Sequence, residues 1–298
     1  MINVLFGLDE KYAKYCATTI ISILQNHKLH SDENKIHFFF IGNLKKESKA
    51  KLISLKKIQH FEYTFLEIDT SEFDGLPKLP ANITIAGYNR LMATELLPKE
   101  VSRIIYLDCD IVLNADIKHI WEIDINNYLL AAVRDKLYKD YKDTYFNSGF
   151  MFLNLKELRD FDFYNKWKNY SKTHPNIFEL KFGDQDILNA ITEDRIMFLS
   201  EDYNCYNSNL FSDKTIVVHF GGSKPWEPTC LHPRTFKEIY WKYTDQNPWR
   251  INSKSEKAKA YVKYIIKFLR KQPLFFLKKK YYSRILDVIY CRITSRNK

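Results

Sequence analysis

Two carboxylates stand one residue apart in the stretch IIYLDCDIVLNADI, residues 104–117: Asp108 and Asp110. On an extended chain, residues i and i+2 project to the same side. Carboxylates that close repel, and one tends to hold a proton unless a cation lies between them. A divalent cation such as Mg²⁺ or Mn²⁺ removes the conflict, because carboxylate oxygens suit both. The plainer alternative is an acidic strand exit facing solvent. A second stretch, HFGGSKPW at 219–226, follows the apolar run Ile216-Val217-Val218 and offers His219, then glycines, then Lys224. An imidazole joining two carboxylates favours Mn²⁺ over Mg²⁺. Glycine amides with a lysine make a diphosphate cradle; a surface turn with a stray histidine is the alternative. In FGDQDILNAI, 182–191, Asp184 has the position of a helix N-cap and Asp186 that of its first turn, which accounts for both without any function. In YFNSGFMFLNL, 145–155, Asn147 and Ser148 precede an apolar strand. They suit sugar hydroxyls or simply a polar turn.

The elements that must hold these residues read as alternating strands and helices. Strands are predicted at 2–7, 36–41, 63–68 and 103–107, and helices at 11–27, 46–60 and 88–97, the last stopped before Pro98. Such alternation predicts an α/β fold with a parallel sheet and helices on both faces. Ligands in such sheets sit beyond the carboxyl ends of the strands. That rule places Asp9, after the first strand, on one rim with Asp108 and Asp110, after the fourth. Further strands are predicted at 130–134, 149–154 and 215–220, and a helix at 184–193.

Composition bounds the rest. The 298 residues suit one large domain, or one with an appendage, and a hydrophobic content of 45% supports a real core. Eight glycines and nine prolines argue against a fibrous or disordered chain. Five scattered cysteines with no CxxC pair suggest neither a zinc ribbon nor a disulfide framework, and predict a reduced, intracellular protein. The N-terminus lacks the basic and apolar regions of a signal peptide. No run approaches the ~18 uncharged apolar residues of a membrane span. The net charge of +10 is uneven: fourteen of the 46 basic residues but two of the 36 acidic ones lie from Ser253 to Lys298, a net +12 that leaves the remainder at −2. The expected organisation is a domain over 1–250 and a basic, aromatic-rich appendage over 251–298. In that appendage Tyr261, Ile265, Ile266, Phe268 and Leu269 alternate with Lys263, Lys267, Arg270 and Lys271 at helical spacing. Basic amphipathic segments with interfacial aromatics lie on anionic bilayers, so the expected location is cytoplasmic, at the inner face of the plasma membrane. A helix packed on the domain is the alternative; nucleic acid is disfavoured, since no RNA-binding motif accompanies the charge.

Taken together and in order, the opening strand with Asp9 and Tyr12, YNRL at 88–91, YLDCDIVL at 106–113, FNSGFMFLNL at 146–155, GDQDILN at 183–189 and HFGGSKPW at 219–226 resemble the retaining glycosyltransferase family 8. That group contains bacterial lipopolysaccharide α-galactosyl- and α-glucosyltransferases and glycogenin. The resemblance covers about residues 1–245. It implies a GT-A, Rossmann-like domain with a mixed, mainly parallel sheet, a UDP-sugar donor (UDP-galactose or UDP-glucose), a glycan or glycolipid acceptor and Mn²⁺, with Mg²⁺ as the alternative ion. It implies Asp108, Asp110 and His219 as metal ligands, Asp9 facing uracil with Tyr12 stacking nearby, and Arg90 and Asp135 near the donor phosphate and sugar. Asn147 and Asp184 would bind sugar hydroxyls, Gln185 would lie beneath the anomeric carbon, and Gly222 and Lys224 would meet the diphosphate. Two departures stand out. The loop reads HxxGxKPW where the family usually has HxxGxxKPW, and Lys11 occupies a position usually held by a residue able to accept from uracil.

A neutral amide is a poor nucleophile, so Gln185 points to same-face attack in which the departing phosphate takes the acceptor proton. Asp184 is the alternative, covalent nucleophile. Two other classes compete. A DxD phosphotransferase or hydrolase would want Ser or Thr two residues after the second Asp, where Val112 stands. A non-catalytic membrane- or nucleic-acid-binding protein would leave Asp108, Asp110 and His219 without a purpose.

Overall fold

The computed structural model describes residues 1–28, 34–76, 84–136, 144–174, 183–192, 194–227 and 230–251, together with Ala258 and Val262. In chain order the elements are β1 (Ile2–Gly7), α1 (Ala13–Asn26), β2 (Ile36–Ile41), α2 (Lys46–Ile53), β3 (Glu62–Leu66), α3 (Ala93–Leu96), β4 (Arg103–Leu107), β5 (Ile111–Leu113), α4 (Lys118–Trp121), β6 (Leu130–Arg134), β7 (Phe146–Asn154), α5 (Leu155–Asp160), α6 (Phe163–Thr173), α7 (Asp184–Thr192), β8 (Ile196–Leu199), β9 (Val217–His219) and α8 (Arg234–Trp241). Seven strands form one sheet in the order β3-β2-β1-β4-β7-β6-β8, and β5 and β9 form a separate ribbon. β7 runs antiparallel to both β4 and β6, while β1, β2, β3 and β4 are mutually parallel and β6 is parallel to β8. The sheet is therefore mixed and mainly parallel, as expected.

Alternation along each strand divides the core between the two faces of this sheet. In β2, Phe38 and Phe40 enter one apolar cluster with Val4, Phe6 and Ile105, while Phe39 and Ile41 enter the other with Leu5, Ile104 and Tyr106. A run of three phenylalanines is what a strand buried on both faces requires. α1 is buried almost all round because it lies between the sheet and the β5–β9 ribbon: Thr19 Oγ1 donates to Ile111 O (2.6 Å), and Asn26 Nδ2 to Leu113 O (3.0 Å).

Several predicted boundaries move. The helix predicted over 88–97 is a 3₁₀ segment over Ile85–Met92 followed by α3, and α2 passes into 3₁₀ at Ser54–Lys57 instead of running to residue 60. β7 starts at Phe146, so Asn147 and Ser148 lie within the strand and not in a turn before it. Asp184 is the first residue of α7 rather than its cap. The appendage lies outside the described residues apart from Ile251, Ala258 and Val262. Among the described residues no helix is long and apolar enough to cross a membrane.

Candidate active site

β4 ends at Leu107 and its ladder with β7 continues one residue further, through the Asp108 N–H to Gly149 O bond of 2.8 Å. The chain turns at Cys109 and Asp110 and re-enters extended structure as β5. The β5–β9 ribbon sets Ile111 opposite His219, and Phe220 N–H donates to Asp110 O at 3.0 Å. A ribbon three residues long thus brings a histidine from 109 positions down the chain to the carboxylates. His219 Nε2 stands 3.4 Å from Asp110 Oδ1 and 3.9 Å from Asp108 Oδ2. One ligand atom from each of Asp108, Asp110 and His219 falls within 4.8 Å of the others, the one such group of three among the described residues. Two carboxylates and an imidazole around a common point fit a divalent cation.

The electrostatics around this point are strongly asymmetric. Burial pushes Asp110 up, but the Lys224 ammonium beside it outweighs burial and holds the carboxylate well below its usual range. Lys224 pairs with Asp110 Oδ2 and donates also to Phe220 O at 3.1 Å. Asp108 Oδ1 accepts from Arg90 Nη2 and from Tyr106 Oη, both at 2.8 Å. The Tyr106 contact is the i, i+2 geometry expected of the strand exit. Arg90 is fully engaged: Nη1 donates to Ser148 O (2.7 Å) and Oγ (3.0 Å), Nε lies 3.1 Å from Asp184 Oδ2, and the guanidinium stacks over Tyr106 at 4.4 Å. Burial raises Asp184 to about 6, against the pull of Arg90. Arg90 is thus the cation between two carboxylates, one in the Asp108–Asp110–His219 group and one at the start of α7. Replacing it with Met leaves the buried Asp184 uncompensated and the partly exposed Asp108 with only Tyr106 as a hydrogen-bond donor, and breaking a buried pair in this way costs about 3–5 kcal/mol. Denaturant unfolding of Arg90→Met in chelator tests this; a loss below about 1 kcal/mol, the size of an exposed pair, contradicts it.

Beyond Asp184 the polar lining continues without a break. Gln185 Oε1 accepts from Ser148 N–H (3.0 Å), and its Nε2 donates to Asp135 Oδ2 (3.3 Å) and Tyr145 Oη (3.2 Å). Tyr145 in turn donates to Asp186. Asn147 Nδ2 reaches Asp135 Oδ2 at 3.4 Å, and Tyr206 Oη lies 3.4 Å from Asp135 Oδ1. Asp9 accepts the Tyr12 N–H at 2.9 Å and so shapes the turn into α1. The Tyr12 phenol is pushed well above its usual value by burial and then by the negative charge of Asp110. Its ring meets Tyr15 edge-on, and Tyr15 stacks flat on Trp226 at 3.6 Å, tying the 219–226 loop to α1. Gly222 takes φ +70°, a left-handed conformation that favours glycine.

The structure therefore gathers Asp108, Asp110, His219 and Lys224 at one point, and Arg90, Asp184, Gln185, Asp135 and Asn147 in a connected network beside it. Three contributors were not singled out in the sequence. Asn204 contacts both His219 and Asn147, at 2.9 Å each. Tyr106 steadies Asp108. A Cβ on Gly149 would stand 2.3 Å from His219 Cε1 and 2.9 Å from Asp108 Oδ2. A glycine inside a strand is the sequence signal of such a close approach.

The chain is similar to several known proteins in sequence and fold. Residues 3–230 match the family model described as Glycosyl transferase family 8. A putative glycosyltransferase of Haemophilus influenzae is 31% identical over 78% of this chain and 74% of its own length. The lipopolysaccharide 1,2-glucosyltransferase of Escherichia coli K12 is 26% identical over 96% of this chain and 88% of its own. Among solved structures, the galactosyltransferase LgtC in complex with donor and acceptor sugar analogues superposes with a TM-score of 0.68, at 21% identity, over 81% of this chain and 95% of that one. The shared architecture is the GT-A-like fold.

Proposed function

The chain belongs to glycosyl transferase family 8, and from that premise we propose that it moves a hexose, galactose or glucose, from UDP to a surface glycan of the lipopolysaccharide or lipooligosaccharide type, with retention of anomeric configuration and with Mn²⁺. It is a glycosyltransferase, with a nucleotide-sugar donor and a glycan acceptor. The observation that carries the reading is the convergence of Asp108, Asp110 and His219 at the carboxyl end of β4. The names of the relatives supply the glycan class and the two candidate hexoses.

In this reading Asp108, Asp110 and His219 would hold the ion, which supplies Lewis-acid neutralisation of a leaving diphosphate. Lys224, at the edge of the cluster, supplies a second positive charge to the same oxygens, with Gly222 opening the backbone beside it. Asp9 and Tyr12 form the nucleoside end of the site. Arg90 holds Asp108 and Asp184 apart in charge; Asp135, Asn147 and Asp184 present carboxylate and amide groups to sugar hydroxyls. Gln185 lies at the centre of that polar lining, beneath the sugar. Its neutral amide favours attack from the leaving-group face over a covalent intermediate. Incubation with UDP-galactose or UDP-glucose and Mn²⁺, with the product's anomeric configuration read by NMR, tests this reading; release of sugar with inverted configuration, or from neither donor, overturns it.

Gln185→Ala is expected to slow transfer by about 10²-fold while leaving UDP affinity near that of the unaltered chain. The side chain contacts Ser148, Asp135 and Tyr145 rather than the metal cluster. An equal loss of UDP affinity would show that Gln185 belongs to the nucleotide end instead.

The basic appendage is proposed to hold the enzyme to the inner face of the plasma membrane. Each Lys or Arg near an anionic surface contributes on the order of 1 kcal/mol, and fourteen lie from Ser253 to Lys298. A chain truncated after Ser253 is expected to lose binding to anionic vesicles yet keep slow donor hydrolysis, and added salt should weaken the full-length chain in the same direction. Aggregation of the truncated chain would instead indicate a helix packed on the domain.

A further inference from the structure

We propose that Asn204 is a positioning residue for the metal site: it fixes the tautomer of His219 and ties that ligand to Asn147 in the sugar-binding network. The proposal rests on reading Asp108, Asp110 and His219 as the metal ligands. Asn204 is 1% exposed and His219 4%. Asn204 follows a 3₁₀ turn over Glu201–Tyr203, and the next residue is locked beside β9: Cys205 N–H donates to Val217 O, and His219 N–H to Cys205 O, both at 2.9 Å. The backbone thus delivers the Asn204 amide to the edge of the His219 ring.

The hydrogen positions follow from one donor whose identity is beyond choice. The Gly149 backbone N–H points at the Asn147 side chain at 3.1 Å, so the atom it meets must be the acceptor Oδ1. The Asn147 Nδ2 then faces the Asp135 carboxylate, which only accepts. Asn204 approaches the same Asn147 Oδ1 at 2.9 Å and must present Nδ2 there. Its other atom, Oδ1, therefore faces His219 Nδ1 at 2.9 Å, and the proton sits on Nδ1. In the neutral ring that leaves the Nε2 lone pair directed at Asp108 and Asp110. A lone pair facing two carboxylates is repulsive alone and attractive around a cation. The opposite tautomer would set a lone pair against Asn204 Oδ1 and aim an N–H into the cluster.

Two substitutions separate positioning from mere packing. Asn204→Leu removes both hydrogen bonds; Asn204→Asp keeps an acceptor for His219 Nδ1–H but loses the donor to Asn147. Outer partners of a ligating histidine are typically worth 10- to 100-fold in metal affinity. Calorimetric titration of the full-length, chelator-stripped chain with Mn²⁺ and no donor is expected to show Asn204→Leu weakened by about that factor. Asn204→Asp should bind Mn²⁺ much as the unaltered chain does, while its KM for the UDP-hexose rises. Long-range ¹H–¹⁵N spectra of histidine-labelled, metal-free protein, read in the neutral form of the ring, should show His219 protonated at Nδ1 and bare at Nε2. An Nε2–H tautomer overturns the proposal whatever the metal does. So does undiminished Mn²⁺ affinity in a folded Asn204→Leu chain, or equal loss in both variants. Failure of the unaltered chain to bind Mn²⁺ while His219 shows the Nδ1–H form would sink the metal reading alone and leave the Asn204 contact standing.

Discussion

Asp110→Asn will give a folded chain whose metal-dependent donor turnover is lower by about 10³-fold or more. The substitution keeps the side-chain shape and the backbone bond from Phe220 N–H to Asp110 O. It removes one negative charge from a cluster that offers two, and it strips Lys224 of its ion-pair partner. Metal ions supply several kcal/mol of transition-state charge stabilisation, and each 1.36 kcal/mol is tenfold in rate, so a loss of about 4 kcal/mol gives the factor expected. Circular dichroism and Mn²⁺ titration alongside the rate separate this from unfolding. Turnover within tenfold of the unaltered chain would mean that Asp110 is a structural partner of Lys224 and not a metal ligand.

The second large effect comes from a residue with no functional group. In Gly149→Ala the new methyl would stand 2.3 Å from His219 Cε1, 2.9 Å from Asp108 Oδ2 and 3.0 Å from His219 Nδ1. None of these atoms can retreat freely: Asp108 is held by Arg90 and Tyr106, and the ring by Asn204. The ring or the carboxylate must therefore shift, and a displacement near 1 Å at a reacting site is worth about 10²-fold in rate. Overpacking should also lower stability by about 1–3 kcal/mol. The decisive readout is metal affinity, which should fall with the rate; a variant that is destabilised yet binds Mn²⁺ as before would show that the glycine serves packing alone.

Much of this architecture is legible in the sequence because it is local. The doubly buried strands announce themselves as apolar runs, and Asp108 follows from the strand exit, whereas Asp110 reaches the same point through the turn at Cys109 and Asp110 and not through an extended period of two. The family order of short motifs extends that reading to His219, Lys224, Asp184 and Gln185. What the sequence hides depends on where distant segments meet. Nothing around Asn204 distinguishes it from a loop amide until the Cys205–Val218 bridge sets it beside β9. Arg90 reads as one basic residue in YNRL, and only the folded chain shows it spanning Asp108 and Asp184. β5 and β8 are three and four residues long, too short for periodicity to register, whereas β9 occupies the middle of the strand predicted at 215–220. α8 escapes the reading although Phe236, Ile239, Tyr240 and Trp241 are apolar and Phe236 and Tyr240, four residues apart, are buried on one face.

UDP release from UDP-galactose or UDP-glucose, followed while Mn²⁺ is added back to the chelator-stripped full-length chain, addresses the metal-dependent transfer most directly. Release should be absent without the ion and rise with the filling of one Mn²⁺ site per chain, and Asp110→Asn and His219→Ala should each fail to reach that plateau. Undiminished release in excess chelator would contradict the assignment of Asp108, Asp110 and His219 as the centre on which transfer depends.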